Sequence, residues 1–328
     1  DNETFPLSSS FSKNFWFINP SANISYKGLK VKYNITTDIP SIEQLRNRIN
    51  DSNPLMLIAG NPNLKQSKTG LLDLTWGIRT GKTGILSAGI KFRHSWDAIV
   101  SKMTFFSEDT FLDAFDYTAS AGSSLYSYTN IGGKIDFTSG LYYMSRVKKI
   151  KGSVTVNANY RFGRQPQYIG NNFDVMYQHR PGFNIILASS PTKWIKPYLS
   201  VDLGYIYSEN SHGQLLLNML SQSVKADVKV NFLKNAFLDT SYRLESYIYL
   251  NSTGKNHMYH HLDAVIGYKM MDSRLILSLS SSDILRATSN YTVTTTSNFV
   301  KESWIPYTGR YVMFNIYYRF NKTSPNKY

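Results

Sequence analysis

Apolar and polar side chains alternate along most of the chain. In Ser153–Phe162 the apolar residues occupy every second position from Val154 onward, and Ser, Thr, Asn, Asn and Arg stand between them. The last segment, Tyr311–Phe320, repeats the alternation and places Phe314, Tyr318 and Phe320 on one face. A period of two is typical of a β-strand whose two faces meet different surroundings. A tilted strand of about 9–11 residues is long enough to cross a bilayer.

The alternation recurs, and the charged residues in mid-strand fall on one face only. The further segments are Lys30–Thr36, Leu72–Arg79, Leu86–Arg93, Leu199–Tyr207, Val224–Phe232 and Leu262–Met270. Short polar turns alternate with longer connections, which are expected at Asp38–Ser67, Ser107–Ser123 and Asn210–Ser221. Short turns at one end and long loops at the other are typical of outer-membrane barrels. We therefore predict an all-β chain, a single antiparallel transmembrane β-barrel domain over residues 1–328.

The number of predicted strands is about 12–14, and 13 fits the spacing best. With 13 strands, the first (about Trp16–Tyr26) and the last would run in the same direction. Single-chain bacterial barrels have even strand numbers. The odd number therefore predicts that at least one further strand precedes residue 1.

One short helix is predicted inside the first long connection. Ser41 is a suitable N-cap, and Ile42, Leu45 and Ile49 would share one helical face. The prediction is a helix over Ser41–Ile49.

Composition agrees with a membrane barrel. The sequence has 42% hydrophobic residues, 24 Tyr and 18 Phe, and a mean hydropathy of -0.30. Barrel strands contribute only alternate residues to the lipid, so a low mean hydropathy is compatible with a membrane location. Abundant tyrosine is typical of aromatic girdles at a membrane surface. The predicted location is the bacterial outer membrane.

Charge and cysteine content narrow the function classes. The net charge is +14. The densest basic run, Arg146–Lys151, has no interleaved aromatic residue to stack on a base. We therefore interpret this run as a turn and predict no nucleic-acid partner. The absence of cysteine excludes disulfides and thiolate chemistry within these residues. No phosphate-binding loop, His-Glu-x-x-His motif or nucleophile elbow is present. We predict no catalytic residues, no cofactor site and no enzyme activity.

The candidate site residues are charged side chains on the polar strand faces. They are Lys91, Arg93, Arg161, Asp202, Lys225, Asp227 and Lys229. These charges could select ions or solutes in the lumen. The favoured alternative is a set of ion pairs between neighbouring strands, because both signs are interspersed. His260 and His261 would point to opposite faces of a strand, so no metal site is predicted.

Three segments of the first long connection carry a specific pattern, namely Ile39–Leu45, Asp51–Leu55 and Gly60–Lys65. The last contains Gly60, Asn61 and Pro62, and Gln66 follows where the pattern often has Pro. This pattern resembles the loop of TonB-dependent outer-membrane receptors. Phe5–Ser8, Val31–Ile35, Ser282–Leu285 and the closing Gly309–Phe320 also match, and the chain as a whole resembles the Bacteroidetes-type outer membrane protein β-barrel family.

The resemblance implies the C-terminal portion of a plugged barrel of about 22 strands. Contacts to the plug are then a further alternative role for the charged residues of the polar strand faces. The implied function is energised uptake of a scarce nutrient: a siderophore, haem, cobalamin, an oligosaccharide or a peptide. The implied partners are outer-membrane lipid, the TonB complex through an N-terminal plug, and a surface lipoprotein. The alternative is a self-contained porin or passive channel of about 12–14 strands. A barrel enzyme or adhesin is a third hypothesis, without a supporting motif.

Overall fold

A computed structural model describes residues 13–169, 172–251, 255–286, 290–295, 300–305 and 309–320. Nearly all regular structure in these residues is antiparallel β-strand, which confirms the predicted fold class. No helix among them is long and apolar enough to cross a membrane.

The strands are numbered in chain order. They are β1 (Ser21–Tyr26), β2 (Leu29–Asp38), β3 (Ile49–Asn50), β4 (Met56–Ala59), β5 (Ser67–Thr80), β6 (Gly84–Trp96), β7 (Ala98–Phe105), β8 (Thr110–Leu112), β9 (Tyr117–Ala119), β10 (Ser124–Ile131), β11 (Lys134–Val147), β12 (Gly152–Ile169), β13 (Asn172–Ser189), β14 (Ile195–Asn210), β15 (Leu215–Phe232), β16 (Ala236–Tyr249), β17 (His257–Met270), β18 (Leu275–Ser282), β19 (Asn290–Thr295), β20 (Val300–Ile305) and β21 (Tyr311–Tyr318).

One sheet of 17 strands dominates the described residues. Four of its strands, β3, β4, β7 and β10, lie outside the main series, and the remaining 13 form a continuous antiparallel wall. The wall runs β1-β2-β5-β6, continues from β11 through β18 in order, and ends with β21. Within the described residues β1 and β21 each pair on one side only, and the sheet does not close.

The strand register separates two faces along the whole wall. Lys91, Thr138, Arg161 and Arg180 lie opposite one another across β6, β11, β12 and β13. The next position along each strand belongs to the other face, which carries exposed large apolar side chains. These include Trp76, Phe92, Leu141, Leu203, Ile266 and Phe314. We call the two surfaces the polar face and the apolar face. So continuous an exposed apolar surface needs a partner other than water.

The connections follow the predicted alternation at most positions. Short turns occur near Lys27–Gly28, at Gly81–Thr83 and around a 3-10 turn at Lys148–Ile150, and long excursions leave the opposite end of the wall. The predicted loop at Asn210–Ser221 is wrong, because β15 begins at Leu215. Alternating Leu217 and Met219 continue the strand, and they are 1% and 2% exposed in a cluster with Tyr249 and Tyr291.

The predicted helix is shorter than expected. Helix α1 spans Ile42–Leu45, and its N-cap is Ser41 as predicted. The Ser41 hydroxyl accepts from the Gln44 amide at 3.2 Å, and the Gln44 side chain accepts from the Ser41 amide at 2.9 Å. The extension to Ile49 is wrong, because Arg46 is extended and its carbonyl accepts from the Gly60 amide. Ile49 lies in β3 instead.

The two outer strands are shorter than predicted. β1 begins at Ser21, so Trp16 precedes it, and β21 ends at Tyr318, so Phe320 follows it. The Phe5–Ser8 segment of the sequence pattern lies outside the described residues.

Candidate functional site

The register places all seven predicted charged residues on the polar face, and several of them are ion-paired. Lys91 lies 3.4 Å from Asp73 on the neighbouring strand, and Lys229 lies 2.6 Å from Asp239. Lys225 pairs with Asp227 at 2.9 Å within its own strand. Unpredicted Arg243 and Glu245 form a fourth pair at 3.3 Å. Two of the four pairs join neighbouring strands, as the ion-pair interpretation expects, and the Lys225 and Arg243 pairs lie within one strand. The role of the polar face in ligand binding stays a prediction.

Asp202 belongs to a hydrogen-bonded group of amides and hydroxyls. Asn184 donates to the Asp202 carboxylate at 2.6 Å, and Ser200 donates to the other oxygen at 3.0 Å. Beside this group Gly182 and Gly204 lie opposite each other on β13 and β14. Because glycine has no side chain, a groove of about 290 Å³ is left on the polar face at these two positions.

Arg93 and Arg161 differ from the lysines. Neither forms an ion pair or a side-chain hydrogen bond with any residue that the structure describes. Arg161 lies directly opposite Arg180 of β13, and Arg93 lies opposite Asp136 of β11. These residues line one cavity of about 350 Å³ near the ends of β6 and β11 from which the long excursion departs. Sequence reasoning did not find Arg180, because its strand was not predicted.

The motif residues Gly60, Asn61 and Pro62 build a fixed loop. A Cβ atom on Gly60 would lie 2.5 Å from the Arg46 carbonyl oxygen and 2.6 Å from that of Glu43, so only glycine fits. The Asn61 side chain donates to the Tyr128 carbonyl at 2.9 Å, and the Pro62 carbonyl accepts from Lys13. The motif therefore joins the first long connection to β10.

Two of the three predicted long connections pack into one unit. We call residues 38–66 and 98–131 the loop body. Its core contains Leu57 and Ala59 of β4, Phe106, Ala119 of β9 and Leu125 of β10, each less than a tenth exposed. β4 pairs in parallel with β10, which holds Asp38–Ser67 against Ser107–Ser123. The third predicted loop does not join them.

An aromatic cluster at the same end of the wall was not predicted from the sequence. The Tyr249 hydroxyl donates to Glu302 at 2.6 Å and is hydrogen-bonded to the Tyr291 hydroxyl. His257 contacts the Tyr291 ring at 4.8 Å and the Trp304 ring at 5.7 Å. Burial, then the hydrogen bond with Tyr249, raises the pKa of the Tyr291 phenol well above its ordinary value. The cluster docks the β19–β20 hairpin onto β16 and β17.

The closing strand keeps its two faces. Phe314 and Tyr318 lie on the apolar face of β21 and are 63% and 43% exposed. Phe320 lies beyond the strand, where its ring contacts that of Tyr318 at 4.7 Å. β21 pairs with β18, and its other edge has no partner among the described residues.

His260 and His261 occupy opposite faces. His260 lies on the apolar face, where its Nδ1 is 2.8 Å from the Tyr242 hydroxyl, and His261 lies opposite Arg243 on the polar face. Among the described residues, no group of three or more His, Asp or Glu is placed to hold a metal ion.

A wall that is apolar on one side and polar on the other is typical of outer-membrane barrels. The sequence matches the model of the outer membrane protein beta-barrel family over residues 1–178 and again over residues 171–318. The chain belongs to this family. An outer membrane β-barrel protein resides in the bacterial outer membrane, so the predicted location and barrel class are confirmed. A comparison with curated proteins finds no match.

Proposed function

We propose that this outer membrane β-barrel protein is the barrel of a TonB-dependent receptor that takes up a scarce nutrient. In such a barrel the apolar face contacts lipid and the polar face lines the lumen. No bond of the substrate is broken. The loop body captures the ligand at the extracellular end, and the polar face contacts the plug and the passing solute.

The observation that carries the proposal is the direction of the two outer strands. β1 and β21 are the first and last of 13 antiparallel strands, so they run in the same direction. Pairing them directly would give a parallel closure, whereas single-chain bacterial barrels are antiparallel with even strand numbers. Further strands between β21 and β1 would resolve this, and a larger receptor barrel supplies them. A self-contained porin of these 13 strands would not supply the additional strands.

The fixed loop around Gly60, Asn61 and Pro62 gives independent support. Its sequence resembles the receptor pattern, and it joins the two long excursions of the loop body at the end of the wall with the long connections. Long connections at that end are extracellular in outer-membrane barrels. An ordered loop body there is suited to capture a ligand before transport.

The gene sequence upstream of Asp1 tests the proposal first. A plug-like α/β segment followed by further alternating strands is expected. A signal peptide directly before Asp1 would contradict the receptor and favour the porin.

Planar-bilayer conductance of the complete encoded protein is the functional test. A plugged receptor is expected to show no steady open pore, and uptake of its ligand by cells is expected to stop when TonB is deleted. Steady pores together with uptake that does not need TonB would establish the passive channel.

A further inference from the structure

We propose that Arg93, Arg161 and Arg180, with Gln178, form a binding site for an oxyanion, a carboxylate or phosphate group, on the polar face. We call it the arginine cavity. Its assignment to the lumen rests on the proposed function, but the binding site itself does not.

The first observation is an uncompensated charge. Arg161 and Arg180 are cross-strand partners, and side chains directly opposite each other have Cβ atoms about 4.5–5.5 Å apart, so like charges there are destabilising. Among the described residues, Asp136 is the one carboxylate that lines the cavity with the three guanidinium groups. It forms no ion pair with any of them within the described part of the chain.

Other cations of the polar face provide the contrast. Lys91, Lys225, Lys229 and Arg243 each have a carboxylate within 3.4 Å. Arg161 and Arg180 instead lie directly opposite each other, and neither has an ion-pair partner among the described residues.

The second observation is a pair of buried donors without an acceptor. Arg180 Nε and Gln178 Nε2 are both shielded from solvent and have no hydrogen-bond partner among the described residues. Gln178 is only 8% exposed, and both side chains line the cavity. A buried unpaired donor is costly, and an unplaced acceptor explains it. Guanidinium groups match carboxylate and phosphate in a two-bond geometry.

The third observation is the space between these donors. Gly163 lies between Asp136 and Gln178 in register and carries no side chain. A Cβ atom there would meet only Gln165 Nε2 at 3.8 Å and Asp136 Oδ1 at 4.0 Å, which is ordinary contact. The cavity of about 350 Å³ is large enough for a carboxylate or phosphate group. A larger side chain at Gly163 would fill it without removing a charge.

Two sources could supply the oxyanion: a solute in the lumen, or an acidic side chain of another segment of the complete protein. The test uses the complete encoded protein in detergent at low ionic strength. Calorimetric titrations with citrate and with inorganic phosphate compare wild type, Arg161→Gln/Arg180→Gln, and Gly163→Leu. Lys225→Gln is the matched control, because it removes a charge from the same face at a paired position. Gel mobility before and after heating checks that each variant is folded.

For a solute source, wild type and Lys225→Gln bind a probe, and the double variant binds it roughly a hundredfold more weakly, because each hydrogen bond to a charged group contributes about 1.5–3 kcal/mol. Gly163→Leu then abolishes binding while the charges remain. For an internal acid, wild type binds neither probe, but the double variant and Gly163→Leu unfold at a lower temperature than Lys225→Gln does.

The proposal is overturned if neither probe binds and the double variant is as stable as Lys225→Gln, or more stable. It is also overturned if a probe binds equally to all variants. Oxyanion binding with no TonB-dependent uptake would reject the proposed function and leave the arginine cavity standing.

Discussion

Replacing Gly60 by alanine tests whether the family motif stabilises the loop body. The added Cβ would lie 2.5 Å from the Arg46 carbonyl oxygen and 2.7 Å from the Arg46 nitrogen, so backbone must move. Overpacking of this kind costs about 1–3 kcal/mol. The movement would also break two hydrogen bonds, from the Gly60 amide to the Arg46 carbonyl at 3.1 Å and from the Asn61 amide to the Gln44 carbonyl at 2.6 Å, each contributing about 0.5–1 kcal/mol. We expect a local loss of about 2–5 kcal/mol.

Hydrogen exchange measured by mass spectrometry on the complete protein reports this loss directly. Amides in residues 38–66 and 98–131 are expected to lose protection by about 30-fold or more, because about 1.4 kcal/mol corresponds to a factor of ten. Gly132→Ala is the matched control, since nothing lies within 4 Å of a Cβ atom there. Peptides from β14 and β15 should be unchanged. Equal protection in Gly60→Ala and Gly132→Ala would refute the reasoning.

Three further predictions concern other contacts. Asn130 bridges Lys65 and Asp97 through three hydrogen bonds, at 2.7 Å, 2.9 Å and 2.8 Å. Asn130→Ala should therefore destabilise the loop body by about 1–3 kcal/mol in the same exchange experiment, and unchanged exchange would count against the bridge. A double-mutant cycle on Lys229 and Asp239, measured by urea unfolding, should give a coupling free energy of about 0.2–1 kcal/mol. A coupling of zero would show that this ion pair does not stabilise the protein. Because the pKa of Tyr291 is raised, docking of the β19–β20 hairpin should be constant below about pH 10, the ordinary tyrosine pKa, and should weaken as the pH rises further. Hydrogen exchange of β20 measures this decline, which should be smaller in Tyr291→Phe.

Much of the wall could be predicted from the sequence because membrane strands have a strict period of two. β12 contains the predicted alternation of Ser153–Phe162 and continues as a strand to Ile169, at the end of the wall with the long connections. The sequence patterns also predicted one face for all seven charged residues, since even spacing along a strand determines the face. The 13 wall strands found in the described part of the chain agree with the sequence estimate.

β13 could not be predicted in the same way. Pro181 and Gly182 interrupt its alternation, and such a pair usually indicates a turn. In the sheet, Arg180 and Pro181 have no register partner on β14, while pairing with β12 continues through both. Pairing on one side is enough to hold a proline in a strand. Missing β13 also meant missing Arg180, so the arginine cavity was not visible in the sequence.

The loop body was predicted only in outline. Its length and motif were evident, but its packing depends on contacts between distant segments, such as Leu57 with Leu125. No local periodicity encodes a parallel pairing of β4 with β10. The predicted extension of the helix to Ile49 is wrong for a related reason, since the Gly60 loop requires an extended Arg46.

The orientation of the wall is the central claim, and single-cysteine labelling along Ser153–Phe162 of β12 tests it most directly. The 328 residues contain no cysteine, so each introduced thiol is unique among them. In intact outer membranes, spin labels at Val154, Val156 and Ala158 are expected to collide with oxygen dissolved in lipid. Labels at Thr155, Asn157 and Asn159 are expected to collide with a water-soluble nickel complex. The alternation predicted here has a period of two, and equal access at all six positions, or the opposite alternation, would contradict a barrel wall with its polar face in the lumen.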